Sequence, residues 1–481
     1  MLFNSVEYLF FLPIVFLLYW FVFRKLQWQN LFVVVASYVF YGWWNWTFLL
    51  LIAFTSACSY ASGLLIEEDR KRSGKYAKLY ATLNICINLF ILGVYKYYNF
   101  FADSLVEAFS SLGVTLSINS LNLVLPVGIS FYTFQALSYT IDVYRKKLEP
   151  THNPVEFFAF ISFFPQLVAG PIERATNLLP QFQKPRTFQY ETAVDGTRQI
   201  LWGLFKKMVI ADNCAVVANE IFDSYQSQSS LALLYGAIMF TFQIYGDFSG
   251  YSDIAIGTAR LFGINLMRNF NYPYFSRSIP EFWRRWHISL NTWFVDYVYI
   301  PLGGSRCVRW KVIRNTLIVF FVSGLWHGAN WTFICWGLYH GLLFMPYLLL
   351  KKKTKFEHDI AENRILPSMK EFGQIIVTFC LVVLGWILFR AQSIQEAYTY
   401  IYRMCTDMSF NIPQQVQDKK TMLFIALMLL FEWSHRNKQF GIQISLQRWK
   451  PFFRYSLYVL LMFAIVLFSS GRATQFIYFQ F

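Results

Sequence analysis

Six histidines occur in this chain of 481 residues, and three of them, His287, His327 and His340, fall in one stretch, Pro280 to Gly341. An ionisable side chain set among long apolar blocks is expensive at membrane depth, so its presence there asks for a functional reading. Within FVSGLWHGANW, helical spacing predicts that Ser323, Gly324, His327 and Asn330 share one face, with Trp331 close beside them. A neutral imidazole, with an ordinary pKa of about 6.5, can take the proton of a hydroxyl as it attacks an activated acyl group, and the Asn330 amide is a candidate neighbour. Spacing alone fits equally well a core histidine held by one backbone carbonyl. Gly324 and Gly328 form a G-x-x-x-G pattern that admits a second helix close to the backbone.

His287 lies in EFWRRWHISLNTWF, with Arg284, Arg285 and Trp286 just before it. Two arginines among aromatic residues suit a phosphate-bearing group at an interface, or lipid headgroups, the commoner case. The stretch 244–264, IYGDFSGYSDIAIGTARLFGI, places Asp247 and Asp253 among small residues and Arg260. Buried ion pairs are the more economical account of these acids, although Asp247 could help position a donor. Tyr478, in the terminal FIYFQF, is a hydroxyl among aromatics, which also suits an interfacial anchor.

These residues must be positioned by helices. The composition is 56% hydrophobic and only 14% charged, and the apolar residues come in blocks. Blocks of about 20 apolar residues read as bilayer-spanning helices, because lipid offers no partner for an unpaired backbone group. The expected fold is all-α: a polytopic membrane protein with 11–13 membrane helices, some short or re-entrant. Residues 1–481 read as one transmembrane domain, with 280–341 as its catalytic core. Spans are expected near 2–23, 30–45, 47–66, 79–101, 121–143, 199–218, 230–246, 372–390, 421–434 and 455–470. FFAFISFFPQLVAGP (157–171) is too short and too proline-broken to cross as a plain helix and reads as a re-entrant, cavity-lining element. Residues 391–420 read as a polar external loop. Basic runs at 67–78, 145–147 and 351–355 mark cytoplasmic connections, which leaves both termini outside.

The excess of 42 Lys+Arg over 27 Asp+Glu sits in short connections, a pattern for anionic lipid headgroups rather than nucleic acid. Seven scattered cysteines without a C-x-x-C give neither a disulfide framework nor a zinc cluster. The histidines lack H-x-x-x-H spacing, so no metal is expected. No G-x-S-x-G elbow or P-loop occurs.

The segments 2–20, LPVGISFYTFQALSYTIDVYR (125–145), FFPQLVAGPIER (163–174), 245–264, PEFWRRWHISLNTWFVDYVYIPLGG (280–304) and SGLWHGANWTFICWGLYHG (323–341) together resemble the membrane-bound O-acyltransferase family. Within it the likeness is to the bacterial branch of alginate O-acetyltransferases. The resemblance implies a helical bundle around a central funnel, in the bacterial plasma membrane, with the family's invariant histidine at His327 and its second histidine at His287. It implies an acyl group, acetyl in this branch, taken from a cytoplasmic thioester such as acetyl-CoA, with no permanently bound cofactor. The final acceptor would be an extracytoplasmic polysaccharide, with an SGNH-type acetyltransferase partner outside the membrane. FIYFQF (476–481) resembles an F-x-Y-x-x-F motif of relatives, which would make Tyr478 an acyl relay. Val295 stands where relatives often carry arginine, so no basic group is expected to act at that point. D-alanyl transfer to teichoic acid is a same-family alternative, and a transporter or flippase of lipid-linked glycan is one from another class.

Overall fold

A computed structural model describes residues 1–72, 74–168, 170–350, 359–362, 364–407, 409, 411–413, 417–443, 449–469 and 476–477. Among them every regular element is a helix. Six helices are long and apolar enough to cross a bilayer: Thr47–Arg72, Ala77–Ser111, Ser230–Leu261, Trp331–Leu349, Met369–Arg390 and Pro451–Phe468. Other apolar segments are shorter or interrupted, such as Leu26–Gly42, Ile129–Tyr144 and Lys419–Ser434. The span expected at 230–246 and the glycine-containing stretch after it form one helix, Ser230–Leu261. Residues 391–420 are not all loop, because Ile394–Thr406 is a helix capped by the Ser393 side chain on Glu396 N–H.

The described chain falls into two compact units. The first comprises Met1–Thr197 and Ala255–Met267, the second Arg198–Ile254 and Arg268–Phe481. In the first unit the broken segment is built as its sequence demands. The helix Pro154–Ser162 stops at Phe163, and a single turn, Phe164–Leu167, follows. Both pieces are mostly buried, so their freed backbone groups need partners inside the protein. Ser37 Oγ accepts from the Phe164 N–H at 3.0 Å, and Gln166 Nε2 donates to Phe160 O at 3.2 Å and to Gln135 Oε1 at 3.0 Å. The N-terminal helix Val6–Leu17 and its continuation are pinned in the same unit through Tyr8 to Thr258 (2.7 Å), Tyr19 to Phe262 O (3.0 Å) and Trp20 to Leu261 O (2.9 Å).

The second unit is organised on an antiparallel hairpin of two helices, Arg309–His327 and Trp331–Leu349. Their backbones approach where both carry glycine. A Cβ on Gly324 would collide with the Phe333 carbonyl oxygen, and one on Gly337 with the Phe320 carbonyl oxygen. The close approach expected at Gly324 is therefore made by the next helix in the chain. Helical spacing, however, ends at His327. Gly328 is extended, and Asn330 caps the following helix, its Oδ1 accepting from Thr332 N–H at 3.0 Å. Asn330 does not share a helix face with His327, because a glycine and a capping asparagine in succession end one helix and start another.

Gly324→Leu should therefore prevent the hairpin from closing, destabilising the protein by about 3 kcal/mol or more. Gly373, where an added Cβ would meet nothing within 4 Å, is the control; Gly373→Ala should hold or raise stability by about 0.5–1 kcal/mol. Fluorescence-detected size exclusion after a temperature ramp in detergent distinguishes them, and equal melting of the two variants would contradict this account of the hairpin.

Candidate active site

His327 is the last residue of the helix Arg309–His327 and is 3% exposed. Its ring lies edge-on to Trp336 at 4.9 Å, against Trp326 at 5.0 Å and against Phe389 at 5.4 Å. Carbonyl oxygens gather at a helix C-terminus, so this position favours positive charge developing on an imidazole as it accepts a proton. The aromatic walls keep water out and strengthen whatever polar contact is made there.

His287 is reached from His327 through one ring: Trp326 lies 5.9 Å from His287. His287 has a left-handed backbone, φ 44°, and starts the short helix Ile288–Phe294. A non-glycine residue keeps such a conformation only where its surroundings over-determine it. Asn269 supplies them. Its carbonyl accepts from Ile288 N–H at 2.9 Å, and its Oδ1 lies 3.0 Å from His287 Nδ1 and accepts from Ser289 Oγ at 2.9 Å. The Asn269 Nδ2 donates to Ser252 Oγ at 3.0 Å, which orients the amide. With the amide so oriented, Nδ1 is the nitrogen that carries the proton and Nε2 holds the lone pair.

The third histidine joins the same cluster. His340 is fully buried between Trp283 (5.0 Å) and Trp336 (5.3 Å), and neither ring nitrogen has a hydrogen-bond partner among the described residues. Gly385 makes room for it, since a Cβ there would meet His340 Nε2 at 2.6 Å.

Asp247 and Asp253 belong to a buried ion network on the helix Ser230–Leu261. Lys207 Nζ lies 2.7 Å from Asp247 and 2.8 Å from Asp212, while Lys206 Nζ lies 2.6 Å from Asp253 and 2.9 Å from Ser249 Oγ. Tyr245 donates to the buried Glu432 at 2.8 Å. Asp247 also accepts the Ile477 backbone N–H at 2.6 Å, and Phe476 packs on Tyr251 at 4.6 Å and Phe248 at 5.9 Å. Phe248 in turn lies 4.6 Å from His287. Phe476, the first residue of the C-terminal motif, thus sits one ring away from His287, and Ile477 is held on Asp247. Tyr478 itself lies outside the described residues.

The remaining expected residues divide. Trp286 is buried 4.8 Å from Trp386. Arg285 pairs with Glu281 at 2.9 Å and donates to Asn271 O at 3.2 Å, so one expected donor-positioning cation is engaged with the protein. Arg284 is exposed. Asn330 is half-buried, its Nδ2 donating to Gln392 O at 3.0 Å. Among the described residues no group of three His, Cys, Asp or Glu side chains is placed to hold a metal ion. Sequence reading missed Asn269, Ser289 and the two lysines. The adjacent Lys206 and Lys207 inside LWGLFKKMVIA were a usable signal, being ionisable residues in an apolar block; Asn269 offered none.

A family model described as MBOAT, membrane-bound O-acyltransferase family, matches residues 145–384. The chain is 40% identical over 431 residues to "Probable alginate O-acetylase AlgI" of Pseudomonas aeruginosa, covering 89% of this chain and 80% of the relative. It is 35% identical over 427 residues to a peptidoglycan O-acetyltransferase of Helicobacter pylori, covering 82% and 78%. It is 32% identical over 288 residues to a teichoic acid D-alanyltransferase of Bacillus subtilis, covering 56% and 69%.

The ion network yields a stability prediction that is independent of chemistry. Asp253→Leu leaves the buried Lys206 ammonium without its carboxylate and should cost about 3–5 kcal/mol. The double variant Lys206→Met with Asp253→Leu removes both charges and should recover most of that loss. Thermal denaturation in detergent would count against the pairing if the single and double variants melted together.

Proposed function

The chain belongs to the membrane-bound O-acyltransferase family, and on that premise we propose that it passes an acetyl group from a cytoplasmic thioester, acetyl-CoA, to an extracytoplasmic polysaccharide. It is a multi-pass membrane enzyme, an O-acyltransferase; the bacterial plasma membrane and outward-facing termini are part of the proposal. The observation that carries it is the placement of His327 at a helix end inside a tryptophan cluster, one ring from the amide-held His287. The acceptor hydroxyl attacks the thioester carbonyl as His327 takes its proton. Collapse of the tetrahedral intermediate breaks the C–S bond, and the imidazolium returns the proton to the departing thiolate. His287 and Asn269 fix the geometry next to that step, and Trp286 walls it.

In this reading Tyr478 is the first acceptor. Its phenol takes the acetyl group, and an SGNH-type partner outside the membrane moves it on to the sugar hydroxyl. Support comes from the anchoring of the preceding residues, Phe476 and Ile477, on the Phe248–Tyr251 face and on Asp247. A covalent relay divides one difficult transfer into two easier ones. Arg284, at the end of the helix Ile279–Arg285, is proposed to help position the donor, and Arg285, paired with Glu281, to hold that helix end in place. The likeness to the teichoic acid D-alanyltransferase keeps a carrier-bound D-alanyl thioester as the competing donor.

Purified protein incubated with labelled acetyl-CoA and read by peptide mass spectrometry tests the proposal. Wild type should carry label on Tyr478; Tyr478→Phe and His327→Ala should not. Acceptor acetylation should fall by about two to four orders of magnitude in His327→Ala. Undiminished transfer in that variant would end the role given to His327, and label gained only from a D-alanyl carrier would replace the donor. Asn269→Ala, which removes one hydrogen bond from His287, should lower kcat about tenfold with KM unchanged.

A further inference from the structure

The first unit contains a cavity of about 300 Å³ beneath the connection that joins the helices Ala175–Phe182 and Tyr190–Leu204. That is the lower end of ligand-pocket sizes, about 300–1,000 Å³, and many times the space one water needs. Its lining includes Lys184, Arg186 and Arg260 and no acidic residue. Lys184 and Phe188 are exposed, so the cavity is open to the surface.

The three cations are not equivalent. Arg260 is committed to Asp195 at 2.9 Å. Arg186 has no carboxylate partner among the described residues. Its Nη2 donates to Asn30 Oδ1 at 2.5 Å, while Nε and Nη1 are buried with no hydrogen-bond partner among those residues. The guanidinium lies over the rings of Tyr19 (5.6 Å) and Phe182 (5.4 Å), which hold it in place without neutralising it. Burial pushes it below its ordinary arginine value, as expected of a cation short of counter-charge. The walls are fixed from inside the unit: Trp20 donates to Leu261 O at 2.9 Å, and Gln181 and Asn265 exchange hydrogen bonds at 2.8 and 2.9 Å.

An arginine held over aromatic rings, with no carboxylate partner among the described residues and lining an open basic cavity, is built for an anion with several acceptor oxygens. We propose that this cavity binds a phosphate-bearing group, with Arg186 as the principal contact and Lys184 as the flexible cation at the mouth. The charge pattern puts the end of the first span, with Arg24 and Lys25, on the cytoplasmic side. Two sources of such a group meet that side, the headgroup of an anionic phospholipid and the phosphates of a nucleotide thioester. The second rests on the acetyl-CoA reading above; the first does not.

Full-length protein in detergent is titrated with coenzyme A, with dihexanoyl phosphatidylglycerol, and with dihexanoylglycerol, which lacks phosphate. Wild type should bind at least one phosphate-bearing probe, with Kd raised about tenfold in Arg186→Gln and several-fold in Lys184→Gln. The probe whose Kd moves identifies the source, and dihexanoylglycerol should not discriminate between the variants. Because Lys184 is exposed, its substitution reports on binding even if Arg186→Gln folds poorly. Absence of binding by both phosphate probes, or binding unchanged in both variants, overturns the proposal. Binding is read without turnover, so a failure of acetyl transfer in wild type leaves this result separately legible.

Discussion

A charge carried into an apolar helical bundle has to meet a counter-charge or hydrogen bonds there, and this constraint shapes the second unit. Lys206 and Lys207 are adjacent and project in different directions from their helical turn, so one acid does not serve both. The acids that do, Asp253 and Asp247, are six residues apart on the helix Ser230–Leu261, about 120° apart around its axis. Each lysine meets its own carboxylate, at 2.6 and 2.7 Å. The lysines lie on a π-helical turn, Phe205–Ala211, one of the local widenings that recur at functional sites. Such pairs do not add much net stability, because desolvation consumes the attraction. What they fix is register: slide either helix by one residue and both pairs break.

That register has a consequence at the far end of the chain. Asp247 is shared between Lys207 and the Ile477 backbone N–H, so the acid whose charge is balanced inside the bundle is also the anchor for the C-terminal motif. A neutral side chain there would accept the N–H but leave Lys207 with Asp212 as its one remaining carboxylate. Ion pair and docking site are thus one feature.

Local patterns made much of this legible. Long apolar blocks gave the helices, the proline-broken FFPQLVAGP gave a buried non-spanning element, and the histidine-bearing stretch 280–341 gave the cluster that the structure assembles. Errors came where one local signal overrode another. The spacing of His327 and Asn330 is that of a helix face, yet Gly328 and the capping preference of asparagine end the helix between them. What stayed hidden was non-local. Asn269 is an ordinary polar residue in RNFNYPY, and only the folded chain brings its amide to a histidine 18 positions away.

The two histidines differ in a way that separates their tasks. Asn269 holds His287 through both side chain and backbone, stabilising a left-handed conformation that the chain would otherwise abandon. An imidazole whose Nδ1–H is committed to a fixed amide is poised in one tautomer, a group that orients or donates from a set position. His327 sits in rings that constrain its plane, at the carbonyl end of a helix 19 residues long. There the fold favours the charge that appears when the ring accepts a proton, and aromatic walls leave that charge poorly solvated by anything else. A base is useful in transfer if it gains a proton in the rising step and surrenders it in the falling one. The helix end assists the first, and the dry surroundings press for the second, so of the two rings His327 is the better placed to cycle.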